Sequence, residues 1–187
     1  MSRQVWFEGD MNRAIRRMAI EIVEKVGSLE NLMVVGIQTR GVQIGQALAK
    51  KIEEIEGQPI LFGMLDTTLY RDDQRKWPPP LPKENKLLSK VAGKVIVLVD
   101  DVIHTGRTAR AALAALFDNG RPEAVMIAAL VQRVAQSGTS GRKFQDVPIH
   151  AEVVGKSIPT GPGEHIKVRC REVDGIDEVV VIDDTPG

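Results

Sequence analysis

Two kinds of chemical group stand close together in residues 95–108. A run of mostly β-branched residues ends in two adjacent carboxylates, Asp100 and Asp101, and a few residues later Gly106 lies in a turn that opens a helix. Carboxylates in this position can accept hydrogen bonds from vicinal hydroxyls or contact a divalent cation through water. The pattern predicts a ligand site at the carboxyl end of a strand.

The turn after the carboxylates predicts a phosphate site. Main-chain N–H groups at the positive end of a helix bind anions, threonine hydroxyls add donors, and a glycine lets the backbone approach the anion closely. The residues expected to form this cradle are Thr105, Gly106, Arg107 and Thr108. A phosphate at one end of a site and a diol at the other describe a ribose 5-phosphate.

A second acidic pair near the end of the sequence lacks this context. Residues 179–184 repeat the apolar run and end in Asp183 and Asp184, but the Thr-Pro-Gly that follows supplies no helix to hold an anion. We therefore interpret Asp183 and Asp184 as solvated residues and not as a second site.

Alternating strands and helices must position the predicted site. Apolar residues at intervals of three and four predict helices, and short apolar runs predict buried strands. Helices are expected at 11–26, from Ile44 through Ile52, and at 108–117, and strands at 32–37, 60–65, 94–99 and 124–131. This order indicates an α/β fold with a twisted, mostly parallel sheet flanked by helices, in which ligands bind beyond the carboxyl ends of the strands.

Length and composition favour one globular domain over residues 1–187. The 187 residues carry 25 Lys and Arg against 25 Asp and Glu, with 43% hydrophobic residues and one cysteine, Cys170. A single cysteine excludes an intrachain disulfide, and zero net charge argues against strong constitutive binding to nucleic acid. No apolar run is long enough to span a membrane and no secretory signal is recognisable, so a cytoplasmic protein is expected.

Two stretches do not follow the alternation. Residues 71–93 contain Trp77 and four prolines and are too long for a passive connection, which favours a lid over the site, with a disordered insertion as the alternative. Residues 133–146 are polar and rich in glycine and serine, and we expect a mobile surface loop there.

Residues 99–108 resemble the phosphoribosyl diphosphate (PRPP) signature of type I phosphoribosyltransferases. Further segments are similar to the corresponding stretches of the PyrR family, namely 35–41, 65–73, 154–160 and 172–177. That family comprises bifunctional pyrimidine-operon attenuation regulators with uracil phosphoribosyltransferase activity. The resemblance covers most of the chain and implies the type I phosphoribosyltransferase fold, with a lid at about 71–93 and a small hood at about 150–165.

The resemblance also implies a set of PRPP-binding residues. Thr39, Arg40 and Gly41 would bind the diphosphate through main-chain N–H groups and a guanidinium. The two carboxylates would take the ribose hydroxyls, the turn after them would hold the 5-phosphate, and Arg71 would add a contact where the chain enters the lid. Mg²⁺ would arrive with PRPP and be held mainly by substrate oxygens and water, so no dedicated set of metal ligands is expected.

The base would be recognised by the hood. The expected contacts are Lys156, near a carbonyl oxygen of the base, Ile158 and Arg133. The reaction would convert uracil and PRPP to UMP and diphosphate, with Arg40, Asp100, Asp101 and His104 as catalytic residues. His104 stands where PyrR-like chains commonly carry an aromatic residue, and its imidazole would either accept the base proton or only pack beside the base.

Departures from the family pattern concern the regulatory function. Gln132-Arg133-Val134-Ala135 replaces an Asp-Arg-Gly-His run, Gly161-Pro162-Gly163-Glu164 replaces Ser-Arg-Ser-Glu, and Arg16 and Ile20 stand where the family tends to place Thr and His. These positions are associated with RNA recognition. The residues that could still form a basic strip for a leader RNA are Arg13, Arg16 and Arg17.

Three functions are therefore open. The first is a pyrimidine-salvage enzyme, the second an RNA-binding attenuation regulator that senses UMP or PRPP and whose catalysis is incidental, and the third a phosphoribosyltransferase for another base, such as a purine. Complete motifs for diphosphate and ribose phosphate favour catalysis. A homodimer or higher homo-oligomer is expected.

Overall fold

The computed structural model describes residues 2–70, 91–135 and 147–184. Most of the predicted lid lies outside this part of the chain, and so does Arg71. Residues 136–146 of the predicted surface loop also lie outside it. The account below concerns the described residues.

The chain forms eight strands and four α-helices in these ranges. The strands are β1 (Ser2–Trp6), β2 (Leu32–Ile37), β3 (Leu61–Leu65), β4 (Val95–Ile103), β5 (Ala124–Ala135), β6 (Val153–Thr160), β7 (Glu164–Arg169) and β8 (Glu178–Asp183). The helices are α1 (Glu8–Val26), α2 (Arg40–Glu56), α3 (Arg107–Asp118) and α4 (Arg171–Asp174), and a short 3-10 helix covers Thr68–Tyr70. Every strand and helix predicted from periodicity is present.

Five strands form a parallel sheet in the order β3-β2-β4-β5-β6, which confirms the predicted fold class. The chain runs outward from β2 to β3 through α2, and outward in the opposite direction from β4 to β5 through α3. The order therefore reverses between β2 and β4. In open parallel sheets, ligands bind in the crevice at such a reversal, beyond the carboxyl ends of the strands.

The two faces of this sheet are covered by different helices. Val34 and Val97 pack in one core cluster with apolar residues of α1 and α2, whereas Val35 and Leu98 pack in another with residues of α3. All four side chains are buried. Because neighbouring side chains of a strand point to opposite faces, burial on both faces explains the uninterrupted apolar runs that predicted these strands.

A second, antiparallel sheet has the order β1-β8-β7. β1 and β7 had no clear pattern in the sequence. The range expected to form a hood, about 150–165, is divided: β6 is the edge strand of the parallel sheet, and β7 begins the second sheet at Glu164. In the second acidic pair, Asp183 ends β8 half-buried and Asp184 is exposed, 3.4 Å from His165.

No helix within the described ranges has the length and apolar character that a bilayer span would need.

Candidate active site

The carboxyl ends of β2 and β4 lie side by side, with Gly36 opposite Val99 in the ladder. The segment that follows β2 lies against β4 at the point where the acidic pair begins. A Cβ atom at Gly41 would lie 2.5 Å from the Val99 carbonyl oxygen and 3.2 Å from the Asp100 Cα atom. The predicted diphosphate residues and the acidic pair are therefore in contact, as the order of the strands requires.

A second glycine allows this contact. A Cβ atom at Gly36 would lie 2.6 Å from the Gly41 carbonyl oxygen. The peptide bond between Gln38 and Thr39 is cis, and α2 begins at Arg40, so Arg40 and Gly41 belong to the first turn of a helix rather than to a free loop. The first N–H groups of a helix have no intrahelical partner and suit an anion.

The acidic pair lies within β4 and not after it, because the strand continues to Ile103. Asp100 is 8% exposed and Asp101 is half-buried. The Asp101 N–H donates to Asp100 Oδ1 at 2.9 Å, and the Val102 N–H donates to Asp101 Oδ1 at 2.9 Å. Both carboxylates are thus oriented by the adjacent main chain at the edge where a ligand would bind.

The predicted phosphate turn precedes α3. Gly106 caps this helix in the left-handed conformation, with φ 81°, which an L side chain adopts only with strain. A Cβ atom there would also lie 2.9 Å from the Val147 carbonyl oxygen, and the Val147 N–H donates to the Thr105 carbonyl at 3.0 Å. Val147 therefore braces the turn, while the first N–H groups of α3 have no partner within the helix.

The three residues expected at the base lie along β5 and β6. Arg133 donates from Nε to Thr160 Oγ1 at 2.7 Å, and burial lowers the pKa of its guanidinium. Lys156 is exposed, and its Nζ lies 5.5 Å from the centre of the Trp6 ring. Ile158 as a whole is 2% exposed and its side chain belongs to the core, so the side chain offers a ligand no contact surface. His104 is exposed just after the end of β4.

Arg40 has a partner that sequence reasoning missed. Its Nη2 donates to Asp174 Oδ1 at 2.8 Å and its Nε to Asp174 Oδ2 at 3.0 Å. The hydrogen bonds from Arg40 hold the pKa of Asp174 at about 2, and the same bonds raise the pKa of Arg40. Asp174 ends α4, in a segment that supported the family resemblance but had no role assigned to it.

α4 also brings the cysteine close to the acidic pair. Cys170, which precedes α4, is buried, and burial raises the pKa of its thiol to about 12. The negative charge of Asp101 adds to this shift. Cys170 packs in the core cluster with apolar residues of the sheet and of α1, and burial disfavours the reactive thiolate form.

The predicted basic strip lies on the exposed side of α1, beside a shallow groove of about 410 Å³. The groove is lined by Arg13, Arg16, Arg17, Ile20, Glu21 and Glu24. Two of the arginines already have partners: Arg13 pairs with Asp10 at 2.7 Å, and Arg17 donates to the main-chain carbonyls of Val154 and Gly155 on β6. Arg17 therefore ties α1 to β6 as well as lining the groove.

Comparison with known proteins gives a consistent result. The family model described as "Phosphoribosyl transferase domain" matches residues 8–162. Proteins named "Bifunctional protein PyrR" are similar over nearly the whole chain: that of Chloroflexus aurantiacus is 42% identical, covering 96% of this chain and 94% of its own. The Thermus aquaticus protein of that name is 46% identical, covering 91% and 90%.

Solved structures agree on the fold. A hypoxanthine phosphoribosyl transferase of Trypanosoma cruzi superposes with a TM-score of 0.71 at 15% identity, covering 96% of this chain and 90% of its own. A hypoxanthine phosphoribosyltransferase from Staphylococcus aureus gives 0.69 at 16%, covering 98% and 93%. At these identities the likeness concerns the fold alone.

Proposed function

The chain belongs to the phosphoribosyl transferase domain family and, within it, to the PyrR proteins, and from that premise we propose that it transfers the phosphoribosyl group of PRPP to uracil. The observation that carries the proposal is the contact of Gly41 with Val99 and Asp100 of β4, which brings the first turn of α2 against the acidic pair. A diphosphate and a ribose would be bound side by side at this contact.

Three parts of the site match three parts of PRPP. Thr39, which precedes α2, and Arg40 and Gly41 in its first turn would bind the diphosphate. Asp100 and Asp101 would accept hydrogen bonds from the ribose hydroxyls, and the turn before α3 would bind the 5-phosphate through main-chain N–H groups.

The reaction forms a bond between N1 of uracil and C1 of the ribose and breaks the bond between C1 and the diphosphate oxygen. Negative charge then grows on the departing diphosphate, where Arg40 and the N–H groups of α2 can stabilise it. The proton of N1 must leave at the same stage. His104, exposed at the end of β4, is our candidate for its acceptor, because an imidazole can take a proton near neutral pH.

The residues present suit Mg²⁺ that arrives with the substrate. Mg²⁺ commonly uses one or two carboxylates and completes its shell with water and substrate phosphates. Asp100 and Asp101 would supply these one or two carboxylate ligands, and the ion would neutralise negative charge on the diphosphate.

Diphosphate release from PRPP with a panel of bases tests the proposal. We expect turnover with uracil, and with hypoxanthine or guanine at a rate lower by roughly 100-fold or more, since a site built to hydrogen-bond one base leaves polar groups unpaired with another. Purine turnover that exceeds uracil turnover would assign the protein to the third function considered above. Absence of turnover with every base, despite binding of UMP, would favour a regulator.

A second function, binding of a pyrimidine-operon leader RNA, is supported by the arginines that line the groove on α1. It also fits the word "bifunctional" in the names of the relatives. Zero net charge means that any such binding depends on a local basic surface. A gel-shift titration with the host's leader transcript, with and without UMP, tests this function separately from catalysis.

A further inference from the structure

We propose that Asp174 is a positioning residue for the transfer reaction: it holds one edge of the Arg40 guanidinium and so presents the opposite edge to the diphosphate of PRPP. The inference rests on the proposed function, because it takes the diphosphate as the ligand of Arg40. Asp174 itself touches neither substrate nor reacting atoms in this scheme.

The geometry of the pair fixes the plane of the guanidinium. Two parallel bonds, from Nη2 and from Nε of Arg40, end on the two carboxylate oxygens of Asp174 at 2.8 and 3.0 Å. A fork of this kind sets direction as well as distance, which one hydrogen bond or a lysine would not do. The pair takes up the Nε edge of the guanidinium and does not use Nη1.

Asp174 is itself anchored, so it can serve as a fixed support. Its Oδ2 also accepts a bond from the Cys170 N–H at 2.9 Å. The other end of α4 is held by Arg171, whose side chain pairs with Glu8 on α1 and whose N–H donates to Asp177 Oδ1 at 2.7 Å. The carboxylate is therefore set by the fold before any ligand arrives.

The Arg40–Asp174 pair is partly buried, so solvent screens it less than it screens an ion pair on the surface. The side chains of Arg40 and Asp174 are 26% and 15% exposed. Exposed pairs are weak because solvent screens them and because two long side chains must be ordered. Here Asp174 has a short side chain that accepts two hydrogen bonds from Arg40. The entropic cost of ordering the pair therefore falls mainly on the longer side chain of Arg40.

The nearby acidic pair gives Arg40 an alternative partner. The charge of Asp101 acts on Arg40 and contributes to its raised pKa, after the hydrogen bond and the charge of Asp174. Without Asp174, we expect the guanidinium to turn toward Asp101, the carboxylate assigned to the ribose hydroxyls. Replacing Asp174 would then disturb both the contact of Arg40 with the diphosphate and the contact of Asp101 with the ribose.

The central experiment is a double-mutant cycle of Asp174→Asn and Arg40→Met, with affinity for PRPP and Mg²⁺ measured by calorimetry and turnover by diphosphate release. Asp174→Asn should weaken PRPP binding roughly tenfold and lower kcat/KM for PRPP by roughly 100-fold, the scale of a misplaced binding group. In the Arg40→Met background, Asp174→Asn should change either quantity by less than about twofold, because Asp174 acts through Arg40.

Glu172→Gln is the matched control. It removes a carboxylate from the same short helix, exposed and not hydrogen-bonded to Arg40, and should bind and turn over PRPP as wild type does. Should Asp174→Asn fail to fold, Asp174→Glu takes its place. The longer side chain keeps the charge but shifts the carboxylate, so it should lower kcat/KM in the same direction and again have little effect without Arg40.

The possible results distinguish the positioning role of Asp174 from a structural role and from failure of the proposed function. Equal or tighter PRPP binding by a folded Asp174→Asn protein overturns the inference, and so does an equal loss in the Arg40→Met background, which would indicate a structural role. These results leave the proposed function intact if wild type turns over. A wild-type protein that neither binds PRPP nor releases diphosphate overturns the proposed function, and the inference with it.

Discussion

A Cβ atom on Gly41 would lie 2.5 Å from the carbonyl oxygen of Val99. No real Cβ contact is this short, and the atom met is main chain, so it cannot turn away. The first turn of α2 is consequently pressed against β4 immediately before the acidic pair. This contact sets the distance between the diphosphate residues and the ribose residues of the proposed site.

Gly41→Ala should therefore damage folding and activity together. Forcing a methyl group against a strand commonly costs about 1–3 kcal/mol, and the required shift would move the first turn of α2 away from the acidic pair. We expect urea denaturation to show a lower free energy of unfolding and PRPP turnover to fall. Gly9→Ala is the control: its Cβ would meet only the flexible Arg13 side chain at 3.5 Å, and alanine in a helix should leave stability equal or higher.

Asp101→Asn should abolish most turnover while the protein stays folded. Asp101 is half-buried, and its Oδ1 accepts a bond that an amide oxygen can also accept. Loss of a charged group that serves the transition state costs on the order of 3 kcal/mol, or roughly 100-fold in kcat. Diphosphate release measures the effect, and Asp184→Asn, directly after the end of β8, should match wild type. Equal rates for Asp101→Asn and wild type would contradict the site.

The Arg40–Asp174 pair should contribute stability that depends on pH. The pKa of Asp174 is lowered from 3.8 to about 2 in the folded protein. A carboxyl group with a depressed pKa stabilises the fold above its unfolded pKa and loses that contribution as pH falls through the folded value. The difference in unfolding free energy between wild type and Asp174→Asn should be constant above about pH 5 and shrink toward pH 2.

Urea titrations at several pH values measure this difference, and the comparison of the two proteins cancels the carboxylates that titrate in both. A gap between wild type and Asp174→Asn that widens on acidification, or stays constant down to pH 2, would mean that the charge of Asp174 is not held by Arg40.

Neutralising Arg13 and Arg16 should separate RNA binding from catalysis. Each phosphate contact contributes about 0.7 to 0.9 to the steepness of the logarithmic salt dependence. Arg13→Gln with Arg16→Gln should reduce affinity for the leader transcript and flatten this dependence, with uracil turnover unchanged. Arg17 is left in place because it bonds to β6. Lys50→Gln with Lys51→Gln, which removes equal charge from α2, should leave RNA binding unaltered.

A salt dependence that stays as steep after the loss of Arg13 and Arg16 would place any RNA contact elsewhere on the protein. Absence of specific binding by the wild-type protein would remove the second function and leave catalysis. Both results come from the same gel-shift titrations, read with and without UMP.

Local pattern was enough for four of the five strands of the parallel sheet, all but β6, and it indicated where a ligand site would lie. The strands at 32–37, 94–99 and 124–131 are apolar because both faces of the sheet are covered, a property that each run reveals without knowledge of its neighbours. The acidic pair, the turn with Gly106 and the start of α3 are consecutive in the chain, so their joint chemistry is visible in the sequence. Periodicity placed these elements to within a few residues.

The second sheet and the support of Arg40 were decided only by the tertiary structure. β1 finds its partner in β8 at the other end of the chain, and Arg40 finds Asp174 across 134 positions of sequence. Neither pairing can be recognised from the neighbouring sequence, because a strand edge or a guanidinium offers the same donors to any acceptor that the fold brings near. Residue types thus determined what chemistry the chain can do, and the folded backbone decided which charges meet, since a hydrogen bond requires atoms within about 3 Å.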